Sequence, residues 1–140
     1  MPEAGTEIRR EVRIGARPEV VYSFFTDSDK MTRWKGVKAE LEPQPGGIYR
    51  VDINGRDVAS GRFLELEPYR RIVFTWGWEA PGHPVPPGSS TVEVSFQAAG
   101  GGTLVTLVHR DLPAGAEMAH EEGWDLFLPR LVAAAAGSTD

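Results

Sequence analysis

The spacing of apolar side chains changes along the chain, and each change marks a different kind of element. Over Glu7–Ile14 apolar and charged residues alternate, which predicts a half-exposed strand. Pro18 then opens a helix, because proline favours the first helical position and the apolar residues after it follow helical spacing up to a break at Asp27. A second short helix is predicted over Lys30–Trp34.

From Gly36 onward the apolar residues recur at every second position, which is typical of strands with one buried face. This pattern predicts six more strands: Val37–Leu41, Ile48–Ile53, Arg56–Leu66, Arg71–Trp78, Thr91–Phe96 and Thr103–His109. Turn sequences separate several of them, and Asn54-Gly55 is the strongest short hairpin signal. The short connections predict an antiparallel meander.

The last part of the chain, Ala114–Ala136, predicts one long helix that lies across the sheet and covers it. Its apolar face carries His120, Trp124, Phe127, Leu128, Leu131 and Ala135. The helix contains Gly123 and Pro129, which cost roughly 1 and 3 kcal/mol in a helix interior. We expect Gly123 to allow close approach or leave space, and Pro129 to bend the helix, most simply along the curve of the sheet.

One segment has no regular pattern. Ala80–Ser90, APGHPVPPGSS, contains four prolines and two glycines and predicts a protruding loop between two strands. We expect this loop to gate the mouth of a cavity, and we expect the protein to tolerate its shortening with little loss of stability.

Composition places the chain in a broad class. Its 140 residues, 41% hydrophobic and 25% charged, fit a single domain over residues 1–140 with a core at about residues 7–136. The absence of cysteine removes disulfides and thiolate chemistry. No signal peptide or membrane-spanning run is evident, so a cytoplasmic protein is expected. The arginines are scattered, so no nucleic-acid partner is expected, and the apolar runs are too short for a membrane span, so no membrane partner is expected.

Several segments together resemble a known family. They are RPEVVYSFFTDSDKMTRWKG at residues 17–36, GRFLELEP at 61–68, RRIVFTW at 70–76, TLVTLVH at 103–109 and EEGWDLFLPRL at 121–131. In this order they resemble the domain named for activators of the heat shock protein 90 ATPase, within the START-like, birch-allergen-like helix-grip superfamily. The resemblance covers about residues 7–136. It implies an α+β helix-grip fold: a curved seven-stranded antiparallel sheet, two short helices and a long C-terminal helix that enclose a cavity.

Strand alternation assigns a set of aromatic and aliphatic side chains to the face that the last helix would cover. The residues predicted to surround a ligand cavity there are Trp34, Tyr49, Val51, Phe74, Trp76, Trp78, Val94, Phe96, His120, Gly123, Trp124, Phe127 and Leu128. For each residue taken singly, plain core packing is the better interpretation. Together, four tryptophans and a glycine favour an apolar pocket.

Candidate catalytic residues are few. His109 and His120 could transfer protons at neutral pH, and Glu93 or Asp52 could pair with His120, although capping or an ordinary hydrogen bond explains each equally well. The three histidines lack metal-ligand spacing, so no metal is expected. No phosphate loop, dinucleotide fingerprint or nucleophile elbow is present, so no cofactor is expected.

Three functions remain open. The first is non-catalytic binding of a small apolar or aromatic molecule, as in a carrier, sensor or sequestering protein. It requires no catalytic motif and is favoured over catalysis. The alternative is an enzyme of the cyclase or lyase type known elsewhere in the superfamily. A heat shock protein 90 partner, which the family name implies, is the least favoured. The sequence leaves open whether the chain forms a homodimer.

Overall fold

The computed structural model describes residues 6–136, and its elements follow the predicted order. They are β1 Thr6–Ile14, α1 Pro18–Thr26, α2 Ser28–Met31, β2 Lys38–Leu41, β3 Ile48–Asp52, β4 Val58–Glu67, β5 Arg71–Trp76, β6 Ser90–Ala99, β7 Gly102–Leu112 and α3 Glu117–Ala135. The seven strands form one open antiparallel sheet in the order β1-β7-β6-β5-β4-β3-β2. The predicted α+β helix-grip architecture is confirmed.

Most differences from the predicted boundaries have a local cause. The second helix begins at Ser28 rather than Lys30, because the Asp27 side chain accepts a hydrogen bond from Lys30 N and caps it. The long helix begins at Glu117, three residues later than predicted, since Gly115 has a φ of 95° that a helix excludes. The fifth strand ends at Trp76, and Trp78 pairs only through an isolated bridge with Ala59.

The core lies between one face of the sheet and the two longer helices. Alternate residues along the strands point into it, as the period-two pattern predicts. The helices contribute Val20, Val21, Phe24 and Phe25 from α1, and Trp124, Leu128, Leu131 and Ala135 from α3. Tyr49 and Phe74 stack with ring centres 4.1 Å apart, so this part of the interior is closely packed.

A pair of charged contacts attaches α3 to the edge strand β1. Arg10 Nε donates to Asp125 Oδ1 at 2.8 Å, and Arg10 Nη2 lies 3.7 Å from Glu121 Oε2. These side chains are exposed or half-exposed, so the contacts add little stability but fix the position of the helix on the sheet. The long helix α3 is continuous through Pro129, whose side chain faces solvent.

Candidate functional site: a cavity under the first half of the long helix

A cavity of about 440 Å³ lies under the first half of α3. The helix forms one wall, the ends of the central strands form another, and the proline-rich loop borders it. The lining residues are Lys35, Ile53, Asp57, Val58, Trp76, Trp78, Ala80, His83, Pro84, Gly115, Ala116, Ala119, His120, Gly123, Trp124 and Phe127. Most of these side chains are apolar or aromatic.

Six of the residues that the sequence predicts for the cavity line it: Trp76, Trp78, His120, Gly123, Trp124 and Phe127. The other seven lie outside its lining, in the packed core or at its border: Trp34, Tyr49, Val51, Phe74, Val94, Phe96 and Leu128. Strand alternation placed five of them, Tyr49, Val51, Phe74, Val94 and Phe96, on the inner face of the sheet, and all seven are buried. It does not distinguish the packed end of that face from the open end, because both require apolar side chains.

Gly123 occupies an open part of the helix wall. A Cβ added to it would meet no atom within 4 Å. Gly123 is therefore not required for a close approach between the α3 backbone and another part of the protein. Its effect is to leave the space beside Trp124 unfilled.

His109 is fully buried and has a partner at each ring nitrogen. Trp124 Nε1 donates to His109 Nδ1 at 3.0 Å, and Ser90 Oγ lies 2.8 Å from His109 Nε2. Ser90 Oγ in turn donates to the Trp76 carbonyl at 2.8 Å, which leaves its lone pairs for the His109 Nε2 proton. Burial, with smaller effects of His120 and Lys35, lowers the pKa of His109 to about 3. The ring is therefore neutral.

His120 has the same type of environment on α3. Trp78 Nε1 donates to His120 Nε2 at 3.0 Å, and Nδ1 lies 2.8 Å from the carbonyl of Ala116. This pattern places the proton on Nδ1. Burial lowers the pKa of His120 as well. Both histidines thus position tryptophan side chains, and neither has a ring nitrogen without a partner.

The other groups considered for acid–base chemistry or metal binding lie apart. Glu93 pairs with Arg71 and Arg110, and Asp52 accepts a hydrogen bond from the amide of Gly55. Neither carboxylate has a contact with His120. Among residues 6–136 no three histidine, aspartate or glutamate side chains come together as metal ligands would.

The proline-rich loop borders the cavity through Ala80, His83 and Pro84. It does not simply protrude, because Val85 is fully buried in the core and its carbonyl accepts a hydrogen bond from Trp78 N at 2.7 Å. A shortening of this loop that removes Val85 should therefore cost stability, unlike the small effect expected from the sequence. Removal of a buried valine costs about 1.5–3 kcal/mol.

Lys35 is a buried cavity residue that the sequence did not indicate. Only 2% of it is exposed, and Nζ lies 4.0 Å from the ring centre of Trp124 and 4.2 Å from that of Trp76. Phe127 is next, at 5.2 Å. Burial lowers the pKa of Lys35 to about 7. A lysine between a buried tryptophan and a glycine gives no distinct sequence signal, because lysine is usually a surface residue.

The local backbone explains why Lys35 points inward. Its amide donates to the carbonyl of Met31, which closes the turn after α2. At the next residue, Gly36, a Cβ would collide with the carbonyl of Asp52 in β3. The chain passes directly against the sheet at this glycine, so the side chain of Lys35 enters the space between the sheet and α3.

A comparison with protein families identifies the chain. The sequence model described as "Activator of Hsp90 ATPase homolog 1-like protein" matches residues 15–136. The chain belongs to this family. The resemblance seen in the sequence is thereby confirmed.

Curated relatives from human and mouse carry the family's name. The human activator of 90 kDa heat shock protein ATPase homolog 1 is 28% identical over 112 residues, which are 79% of this chain and 31% of the human protein. The chain therefore spans about a third of the length of the curated relatives that it matches.

Solved structures show the same fold in other family members. An AHSA1-like protein from Rhizobium etli, solved in solution, has 43% identity and a TM-score of 0.74, with 98% of this chain and 88% of that chain covered. The Aha1 dimer from Colwellia psychrerythraea has 19% identity and a TM-score of 0.80, with 96% of this chain and 99% of that chain covered. The Colwellia protein is described as a dimer.

Among residues 6–136, no helix combines the length and the apolar character that a bilayer crossing requires.

Proposed function

We propose that the chain binds a small apolar or aromatic molecule in the cavity under α3, as a carrier, sensor or sequestering protein. The observation that carries this proposal is the cavity itself, with a volume of about 440 Å³ and walls built from Trp76, Trp78, Trp124 and Phe127. Small-molecule sites are typically pockets of about 300–1,000 Å³ lined by apolar and aromatic side chains.

The arrangement of the walls supports a preformed site. Hydrogen bonds to His120 and His109 fix the indole rings of Trp78 and Trp124. Gly123 leaves the space beside them open. A ligand entering such a site meets side chains that are already in position, so little conformational entropy is lost on binding.

Binding is favoured over the cyclase or lyase alternative because of the histidines. A general acid or base needs a ring nitrogen within hydrogen-bond reach of the substrate. In His109 and His120 both nitrogens already have partners inside the protein. Use of either for proton transfer would require the loss of one of these hydrogen bonds.

The proposal is tested by titration with 1-naphthalenemethanol, with tryptophan fluorescence as the signal, and by mass spectrometry of the gently purified protein for a bound compound. We expect saturable quenching in the parent protein. Gly123→Leu should abolish it, because the new side chain occupies the cavity. The matched control is Leu126→Ala, which changes an exposed position of the same helix. Equal quenching in Gly123→Leu and the parent would contradict the proposal.

A second function is supported by the family membership. The human relative is named as an activator of the heat shock protein 90 ATPase and aligns over 79% of this chain. The measurement is the ATPase rate of purified heat shock protein 90 with increasing amounts of the chain. A saturable increase would support a co-chaperone role, and an unchanged rate together with no binding would exclude it.

A further inference from the structure

Within the described part of the chain, two hydrogen-bond donors beside the cavity have no acceptor. Within residues 6–136 no hydrogen bond or ion pair involves the ammonium group of Lys35. Trp76 Nε1 is buried and likewise has no partner there. By contrast, the indole N–H groups of Trp78 and Trp124 both donate to histidines. Buried polar groups are nearly always paired, so two unpaired donors in one wall need an explanation.

The surroundings of Lys35 stabilise a cation only partly. The faces of Trp76, Trp124 and Phe127 attract the ammonium through their π electrons. Aromatic rings do not replace the hydrogen bonds that water gives an ammonium group, nor do they supply a negative charge. Within the described residues, the charged form of Lys35 therefore lacks a negatively charged partner.

No described residue near Lys35 supplies that counter-ion. The titratable groups facing it are His109 from β7 and His120 from α3, both neutral, and at the cavity mouth His83 and Asp57. Asp57 is exposed and accepts a hydrogen bond from Asn54 Nδ2 at 2.9 Å. It forms no ion pair with Lys35 in the described part of the chain.

We propose that the natural ligand is an apolar or aromatic carboxylate whose carboxyl group is bound by Lys35 Nζ, while its hydrocarbon part occupies the aromatic end of the cavity. This inference rests on the proposed binding function and specifies the class of ligand. The carboxylate supplies both the negative charge and the hydrogen-bond acceptors that the Lys35 ammonium lacks.

The binding of such a ligand is coupled to a proton. Without a ligand, the lysine loses its charge at about neutral pH, since burial lowers the pKa of Lys35 to about 7. A bound carboxylate raises that pKa, because an opposite charge favours the charged form. The affinity for a carboxylate should therefore fall as pH rises from about 6 to about 9, a range in which the carboxylate stays ionised.

The test compares two probes of nearly equal shape, 1-naphthoate and 1-naphthalenemethanol, on the full chain at about pH 6.5. We expect the parent to bind naphthoate roughly tenfold to a hundredfold more tightly, the range found for hydrogen bonds to charged groups. Lys35→Met should lose this preference and the pH dependence but still bind the alcohol. Lys38→Met removes the same charge from an exposed site and should behave as the parent.

The outcomes separate this inference from the function on which it rests. Equal affinity of the parent for both probes, or a naphthoate preference that survives in Lys35→Met, overturns the carboxylate inference and leaves the binding function intact. Failure of both probes to bind the parent overturns both.

Should Lys35→Met fail to fold, calorimetry of the parent gives an independent test. In buffers of different ionisation enthalpy at about pH 8, naphthoate binding should take up a substantial fraction of a proton, because most of the free lysine is neutral there and the bound carboxylate raises its pKa. The alcohol should take up none. Absence of proton uptake with naphthoate overturns the inference.

Discussion

At the scale of single residues, the cavity is defined by how its polar atoms are paired. Trp78 and Trp124 donate to His120 and His109, so each histidine acts as an acceptor and has to remain neutral to do so. Burial lowers the pKa of both rings. Lys35 differs, because no partner in the described residues compensates its burial. Its protonation should therefore be visible in the stability of the protein.

Replacement of Lys35 by methionine should stabilise the protein without ligand, most strongly at low pH. The pKa is about 7 in the folded chain against the usual 10.5, so between these values the unfolded chain binds a proton that the folded chain does not. Stability of the parent therefore rises with pH through this window, by up to about 5 kcal/mol at 1.4 kcal/mol per unit. Thermal melts between about pH 6 and pH 9 should show the advantage of Lys35→Met shrinking as pH rises.

Lys38→Met is the control, since Lys38 is exposed. A stability difference between Lys35→Met and the parent that stays constant over this pH range would mean that the amine keeps its charge in the folded protein. Lower stability of Lys35→Met at every pH would mean that the aromatic contacts outweigh the cost of burial.

His109 gives a pH dependence of the same sign as Lys35, but in a lower pH range. Its pKa is about 3 in the folded chain and about 6.5 when unfolded, so stability is complete above about pH 6.5 and is lost as pH falls towards 3. His109→Gln removes this titration. We expect the parent to lose stability relative to His109→Gln between about pH 6.5 and pH 4 in urea melts. A constant difference would mean that His109 becomes charged without penalty.

At the scale of elements, strand alternation and helical spacing were sufficient to predict the order of all ten elements and the inner face of the sheet. They placed Trp76, Trp78 and Trp124 correctly, because an aromatic residue on an inner face is buried whether it lines a cavity or a packed core. Lys35 was missed because its burial depends on the close approach of Gly36 to β3. Gly36 and Asp52 are distant in the sequence, so the local pattern of apolar and polar residues does not predict this contact.

Gly123 offers a prediction about α3 as a helix. Gly123→Ala should raise the stability by up to about 1 kcal/mol, because alanine has the higher helix propensity and the new Cβ meets no atom within 4 Å. Gly61 in β4 is the contrasting site, since a Cβ there would collide with the carbonyl of Thr75. Gly61→Ala should lower the stability by about 1–3 kcal/mol. Urea denaturation of both variants measures the two effects, and a destabilising Gly123→Ala would mean that the helix packs closely at this point.

At the scale of the whole molecule, the interior has two ends with different packing. The second half of α3 covers a filled core with Leu128, Leu131 and Ala135, all buried. The first half, with residues 117–127, covers the cavity together with the loop at residues 80–84. Because these two segments border a cavity rather than a filled core, they should open locally at lower free energy than the rest of the molecule.

The difference in packing between the two ends of the interior predicts which amides a bound ligand protects from hydrogen exchange. In hydrogen exchange followed by mass spectrometry, amides of residues 117–127 and of the loop near His83 should exchange faster than those of β6 and β7 in the free protein. A ligand at about 100 times its Kd stabilises the closed state by about 2.7 kcal/mol, so exchange in these segments should slow by about a hundredfold. Gly123→Leu, whose cavity is filled, should show slow exchange in residues 117–127 without ligand and no further change when ligand is added. Protection that appears instead over the outer face of β1 and β7, with residues 117–127 unchanged, would place the ligand elsewhere on the molecule.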